Sequence, residues 1–341
     1  MERIFSENYC SLRVGEKRLK LKSIIEEESD NDEVAMDYVS GDWGFSMFRL
    51  RHLEAPMVKV VMDIFRSRNL IKVLGLDEGV CERYFTAIEK KYAVFPALMY
   101  HTSLHAADVV HSLHILMDTE CLKARLSPLQ VFAALVAAAV HDVGHPGVTN
   151  QFLCATGNAL AILYNDKSVL ENHHAATAFM VAQDPACDIF AALSVADRVA
   201  VRRQMINMIM STDMAKHEKL LAKTRALPPL QSQEQQQMGV LFDFLLHLAD
   251  LGACTKPWAL CQEWATCVMA ELFAQGDKEV ALGLPVSMYH RAKTTVPRSQ
   301  MDFVDYVVRP LWLEWDKLIG VPQSMQTLTM EENRRQWSLI I

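Results

Sequence analysis

The chain has 341 residues, 51% of them hydrophobic and 22% charged, with a formal net charge of −7. That balance excludes a mainly disordered protein, and the acidic charge argues against nucleic acid as principal ligand, because affinity for a polyanion comes mostly from lysine and arginine. A chain this long buries roughly three quarters of its unfolded surface, so any metal in it serves chemistry before folding.

The N-terminus, Met1 to Ser6, lacks the apolar core of a secretory signal, which predicts a cytoplasmic protein. The cysteines agree: Cys10, Cys81, Cys121, Cys154, Cys187, Cys254, Cys261 and Cys267 form no C-x-x-C pair and read as reduced thiols. Arg13 to Ile25 is basic and amphipathic, and Glu26 to Glu33 is an acidic run of the solvated kind. Residues 1–41 are therefore read as an extension, 42–337 as one all-α domain and 338–341 as a tail.

Apolar residues spaced three and four apart predict helices over Leu53–Arg66, Cys81–Leu98, Leu104–Asp118, Pro128–His141, His173–Ala182, Ala196–Met210, Lys216–Leu227, Met238–Leu251, Pro257–Gln275 and Phe303–Ile319. Pro228 to Gln237 reads as a surface loop. The longest apolar run, Val131 to Val140, is about half of what a bilayer-spanning helix requires, so no transmembrane segment is expected.

Four segments carry ligand-type side chains. His101 and His105 lie four apart and share a helix face. His141, Asp142 and His145 end a very apolar helix, whose burial forces its polar tip toward something that satisfies it. Glu171, His173 and His174 form the third group, and Asp250 ends another apolar helix. Histidine with carboxylate suits zinc; carboxylate with water suits magnesium or manganese. His114 and His247, each alone on an apolar helix, read as hydrogen-bonded core residues.

Together, Y-H-T-S-L-H-A-A-D-V-V from Tyr100, H-D-V-G-H-P-G-V-T-N from His141, Y-N-D-K-S-V-L-E-N-H-H from Tyr164, A-D-L-G-A-C-T-K-P from Ala249 and S-Q-M-D-F-V-D-Y-V from Ser299 resemble the catalytic domain of class I 3′,5′-cyclic-nucleotide phosphodiesterases, above all the cAMP-specific fourth family. The resemblance implies a bundle of about sixteen helices around a deep pocket. It implies that His105, His141, Asp142 and Asp250 hold zinc, with Asp142 shared by a second ion, magnesium or manganese. His101 would be the general acid, and His145, Glu171 and Thr212 would hold waters or orient it. Gln300 would read the purine edge, Phe303 and Val268 would sandwich the base, and Tyr100, Leu272 and Met288 would line the pocket. On spacing alone, Phe303 is ordinary helix core and Thr212 equally an N-cap of the following helix.

The implied activity is hydrolysis of cAMP, and of cGMP as well, to 5′-nucleoside monophosphates, ending a cyclic-nucleotide signal. The resemblance also implies a regulatory domain in a longer chain. Three departures bear on this reading. Ala253 replaces an asparagine that reaches adenine, Gly144 replaces an acidic residue, and Gly283 to Arg298 is one residue shorter than in the fourth family. The alternatives are an HD-type phosphohydrolase on other nucleotides, which has no use for Gln300 and Phe303, and a non-catalytic nucleotide-binding scaffold.

Overall fold

The computed structural model describes residues 13–14, 17–18, 39, 41–95, 97–231, 237–286 and 289–341. Met288, Cys10, the 26–33 acidic run and most of the basic piece before it lie outside the described residues. Among those described are sixteen α-helices and one antiparallel pair of two-residue strands, Arg13–Val14 against Lys17–Arg18. That ribbon is the one departure from an all-helical reading among the described residues, and it lies ahead of the predicted domain.

The Pro128–Val140 helix is the centre of the core. Ser127 and Gln130 form a reciprocal capping box at its start, Pro128 occupies the first turn where no N–H is needed, and every residue from Val131 to Val140 is buried. It packs against the Val195–Ser211 and Ser103–Met117 helices, and the latter also contacts the Pro56–Ser67 and Met238–Asp250 helices. A helix that is apolar all round has to be wrapped in this way. One end of the resulting layer gathers the last turns of two helices and the first turn of a third.

Several boundaries differ from the sequence expectation. The helix expected to run to Leu98 ends at Tyr92, because Pro96 disfavours helical geometry in the residue before it. The segment expected as one helix from Phe303 to Ile319 is two, Val296–Phe303 and Arg309–Ile319, joined by a π-helical stretch over Val304–Val308. Pro310 explains the widening: it offers no N–H to the preceding turn, and Arg309 N–H reaches back to the Val304 carbonyl. The Met325–Ser338 helix was not expected at all. Among the described residues, no helix is long and apolar enough to cross a membrane.

Candidate metal centre and catalytic site

His105 sits in the first turn of the Ser103–Met117 helix, His141 caps the end of Pro128–Val140 with Asp142 next to it, and Asp250 is the last residue of Met238–Asp250. One ligating atom from each lies within 4.8 Å of all the others. His105 Nε2 is 3.1 Å from Asp250 Oδ1 and 3.6 Å from Asp142 Oδ2, while His141 Nε2 is 3.1 Å from Asp142 Oδ2 and 3.4 Å from Asp250 Oδ1. Two of these residues stand at helix C-termini, where the carbonyl ends of the backbone dipoles favour a cation.

The donor set fits a metal ion. His141 Nδ1 donates to the Ala138 carbonyl at 2.8 Å, which leaves Nε2 as the ring nitrogen that can serve a metal ion. That Nε2 is buried, has no hydrogen-bond partner of good geometry, and faces the Asp142 and Asp250 carboxylates. The two aspartates, against the effect of burial, push His141 well above the usual imidazole range. His141 in turn helps hold Asp142 and Asp250 below the usual carboxylate range despite their burial. The pocket demands positive charge, which a divalent cation supplies without a proton.

Beside it lies a second group, His101, His145 and Glu271, again with ligating atoms within 4.8 Å of one another. His101 Nδ1 is hydrogen-bonded to Glu271 Oε1. Glu271 Oε2 accepts from the Tyr100 and His101 backbone N–H groups at 3.2 and 3.3 Å. Burial opposes the charged imidazole, but Glu271 overrides it and raises His101 to about 9. The His145 ring stacks on His101 with centroids 3.7 Å apart, and burial together with that neighbouring charge drives it well below the usual range, so it stays neutral. The His101 and His105 ring centroids are 6.2 Å apart, which joins the two groups into one site. Tyr100 lies over His105, centroids 4.4 Å apart.

Glu171 is buried on the Val169–Val181 helix, and both its oxygens accept from Asn150 Nδ2, at 3.2 and 3.0 Å. Burial raises it to about 7, with the Asn150 amide pulling the other way. Thr212 ends the Val195–Ser211 helix and its hydroxyl donates to the Ile209 carbonyl. Asp213, not Thr212, caps the turn that follows. Gln300 is buried and Phe303 half-buried on the Val296–Phe303 helix, next to the π-helical stretch. Val268 and Leu272 pack on the apolar cluster that includes Met269, Phe273, Val296 and Met301, which sets the Val268 helix beside the Gln300 helix. Ala253 is half-buried in the 3-10 turn Gly252–Thr255 directly after Asp250.

Glu271 went unread in the sequence, and His174 was grouped with Glu171 but given no role. Glu271 lies on the Trp258–Ala281 helix, buried at 6% exposure, three residues from Val268 and so on the same face. His174 Nε2 approaches Asp142 Oδ1 at 3.7 Å while its Nδ1 bonds the Val143 carbonyl at 2.9 Å. A single acid on an otherwise apolar face was the signal for the first; the second stood in the quoted E-N-H-H run. His114 and His247 are structural, as expected: Arg68 Nε donates to His114 Nδ1 at 2.6 Å, and His247 pairs with His217 at 3.0 Å.

Comparison with known proteins places this geometry. Residues 100–331 match the family model described as 3′5′-cyclic nucleotide phosphodiesterase. The chain is 38% identical over 309 residues to the mouse protein named 3′,5′-cyclic-AMP phosphodiesterase 4C, covering 86% of this chain and 44% of the relative. It is also 38% identical over 314 residues to the Drosophila melanogaster 3′,5′-cyclic-AMP phosphodiesterase, isoform F, covering 88% of this chain and 47% of the relative. The chain thus spans about half the length of the curated relatives it matches. Among solved structures, the phosphodiesterase domain of Salpingoeca rosetta rhodopsin phosphodiesterase superposes with a TM-score of 0.81 at 24% identity, covering 92% of this chain and 94% of that one.

Proposed function

Because this chain belongs to the 3′,5′-cyclic nucleotide phosphodiesterase family, we propose that it hydrolyses the 3′ phosphoester bond of cAMP, and of cGMP as well, giving the 5′-nucleoside monophosphate. The observation that carries this reading is the meeting of a four-ligand His/Asp group with a charged His101–Glu271 pair at one end of the helix layer. His105, His141, Asp142 and Asp250 would hold zinc, and Asp142 would also serve a magnesium or manganese ion. Bound there, the ions supply Lewis acidity and a nucleophile at neutral pH.

The chain's own groups do the rest. Glu271 fixes the His101 ring through Nδ1 and keeps it charged, so that Nε2 carries the proton for the departing O3′. The proton lost to O3′ is replaced from solvent once product leaves. His145, neutral and stacked on His101, holds the ring plane without competing for the Glu271 charge. Glu171, tethered by Asn150, and Thr212 would order solvent beside a second ion when one is bound. Gln300 has an amide that both donates and accepts, which suits the edge of either purine, and Phe303 and Val268 hold the base faces. With alanine at position 253, one adenine-selective contact is absent, which supports turnover of both nucleotides.

The catalytic domain spans 42–337 in this reading, and a reducing cytoplasmic setting suits the free thiols of the described cysteines. The test is steady-state hydrolysis of cAMP and cGMP side by side, with and without magnesium, on the wild type, His101→Asn and Asp250→Ala. Both variants should fold and lose turnover; retained activity in either refutes the assigned roles. Unimpaired nucleotide turnover by Gln300→Ala would favour a broader HD-type phosphohydrolase.

A further inference from the structure

Lys256 and Asp108 form an ion pair deep inside the protein. Lys256 Nζ is 2.7 Å from Asp108 Oδ1, and the two side chains are 0% and 5% exposed. The ammonium also lies 5.4 Å from the centroid of the Trp43 ring. A buried pair of this kind contributes little net stability, because desolvation of both charges offsets their attraction, and apolar residues of similar volume often serve as well. Its best-attested use is to fix register between elements.

The two residues stand on the two segments that meet at the metal centre. Asp108 follows His105 by one turn of the Ser103–Met117 helix and shares its side of that helix. Lys256 follows Asp250 by way of the 3-10 turn Gly252–Thr255. The same two segments therefore touch twice: once through His105 and Asp250, 3.1 Å apart, and once through the buried pair.

The connecting turn is held from its other sides too. Trp43 Nε1 donates to Thr255 Oγ1 at 3.1 Å, and a Cβ on Gly252 would meet the Trp43 ring at 3.5 Å. Asn333 Nδ2 donates to the Cys254 and Lys256 carbonyls at 2.9 and 2.7 Å. These contacts fix the turn's outer side, and the ion pair ties its end to the helix that bears His105.

From this double attachment we propose that Lys256 and Asp108 are positioning residues for the metal centre: their ion pair fixes the separation of His105 from Asp250, and with it the affinity for the tightly held ion. The proposal rests on the metal-binding part of the function proposed above and on none of its base-recognition part. Pairing the two charges close to the His105 and Asp250 segments sets geometry without adding net charge to the site.

The test is zinc affinity of the purified chain, read by competition with a chromophoric chelator and so independent of turnover. In Asp108→Leu/Lys256→Met, which replaces the pair without stranding a charge, zinc should bind about 10- to 100-fold more weakly, with a cooperative urea transition retained. Lys256→Arg keeps the charge but displaces the bonding atoms and should also bind zinc more weakly. Affinity within twofold of wild type in either folded variant overturns the proposal. So does failure of both to unfold cooperatively, which would make the pair a requirement of the fold. A wild type that binds zinc tightly yet hydrolyses no cyclic nucleotide would overturn the proposed function and leave this inference intact.

Discussion

His101 and Glu271, 170 positions apart in the chain, share a hydrogen bond between Nδ1 and Oε1, and the second Glu271 oxygen accepts from the consecutive Tyr100 and His101 backbone N–H groups. The carboxylate thus orients the ring and its main chain together. It also sets the ring's charge, since His101 stands at about 9 against an ordinary 6.5.

Turnover should therefore persist into alkaline solution and fall as His101 loses its proton. Cations bound at the neighbouring aspartates would oppose the charged ring, so the falling limb is expected at or below pH 9. Glu271→Gln keeps the shape but removes the negative charge, and should shift that limb down by about one unit or more. A pH profile of kcat on both proteins decides it; coincident limbs would remove Glu271 from this role. The same shift has a stability side: a raised histidine value favours the folded state below pH 6.5, and the gain disappears as pH climbs through about 9.

Asn150 holds Glu171 by both carboxylate oxygens and takes the Leu170 N–H on its own Oδ1 at 2.8 Å. Without that amide, burial pushes Glu171 above its present value of about 7, so the group is largely neutral in ordinary assay buffer. Asn150→Ala should then need about tenfold more magnesium for half-maximal turnover, the cost seen when partners of ligating groups are lost. A magnesium titration at pH 7.5 checks this, and an unchanged midpoint would count against it.

Gly147 has φ +72°, and a Cβ there would lie 2.3 Å from Leu98 Cδ2 and 3.7 Å from the Glu271 side chain. Gly147→Ala therefore meets left-handed backbone strain of about 1–2 kcal/mol and a clash that Leu98 relieves by turning away. Denaturant titration should give a loss of about that size, and kcat should fall as well because Glu271 lies alongside. Loss of stability with full activity would separate Gly147 from the catalytic group.

Ser127 offers the opposite case. It caps the helix that delivers His141, yet it stands at the far end, exposed, accepting from Gln130 N–H at 3.3 Å. Ser127→Ala should cost about 1 kcal/mol and leave kcat and KM at wild-type values. A changed KM would mean that the cap is felt along the whole helix.

The His105, His141, Asp142 and Asp250 group was legible because two of its residues end helices so apolar that burial was certain, and a buried helix tip carrying histidine or aspartate needs a partner. The Met325–Ser338 helix was illegible for the converse reason. Its buried positions are Thr327, Met330, Asn333 and Trp337, so two polar residues occupy the spacing that would have announced a helix. Asn333 is buried because it bonds the Cys254 and Lys256 carbonyls, a purpose no local pattern reveals. Glu271 escaped notice likewise: an acid within an amphipathic helix looks like a wet face until its distant histidine is seen.

The bond from His141 Nδ1 to the Ala138 carbonyl spans only three residues and belongs to one helix. The choice of which ring nitrogen faces the centre is thus made locally, by a carbonyl three residues away and not by any distant segment. An imidazole aimed from within its own helix gives the group a fixed point of reference, against which His105 and Asp250, carried by two other helices, are set.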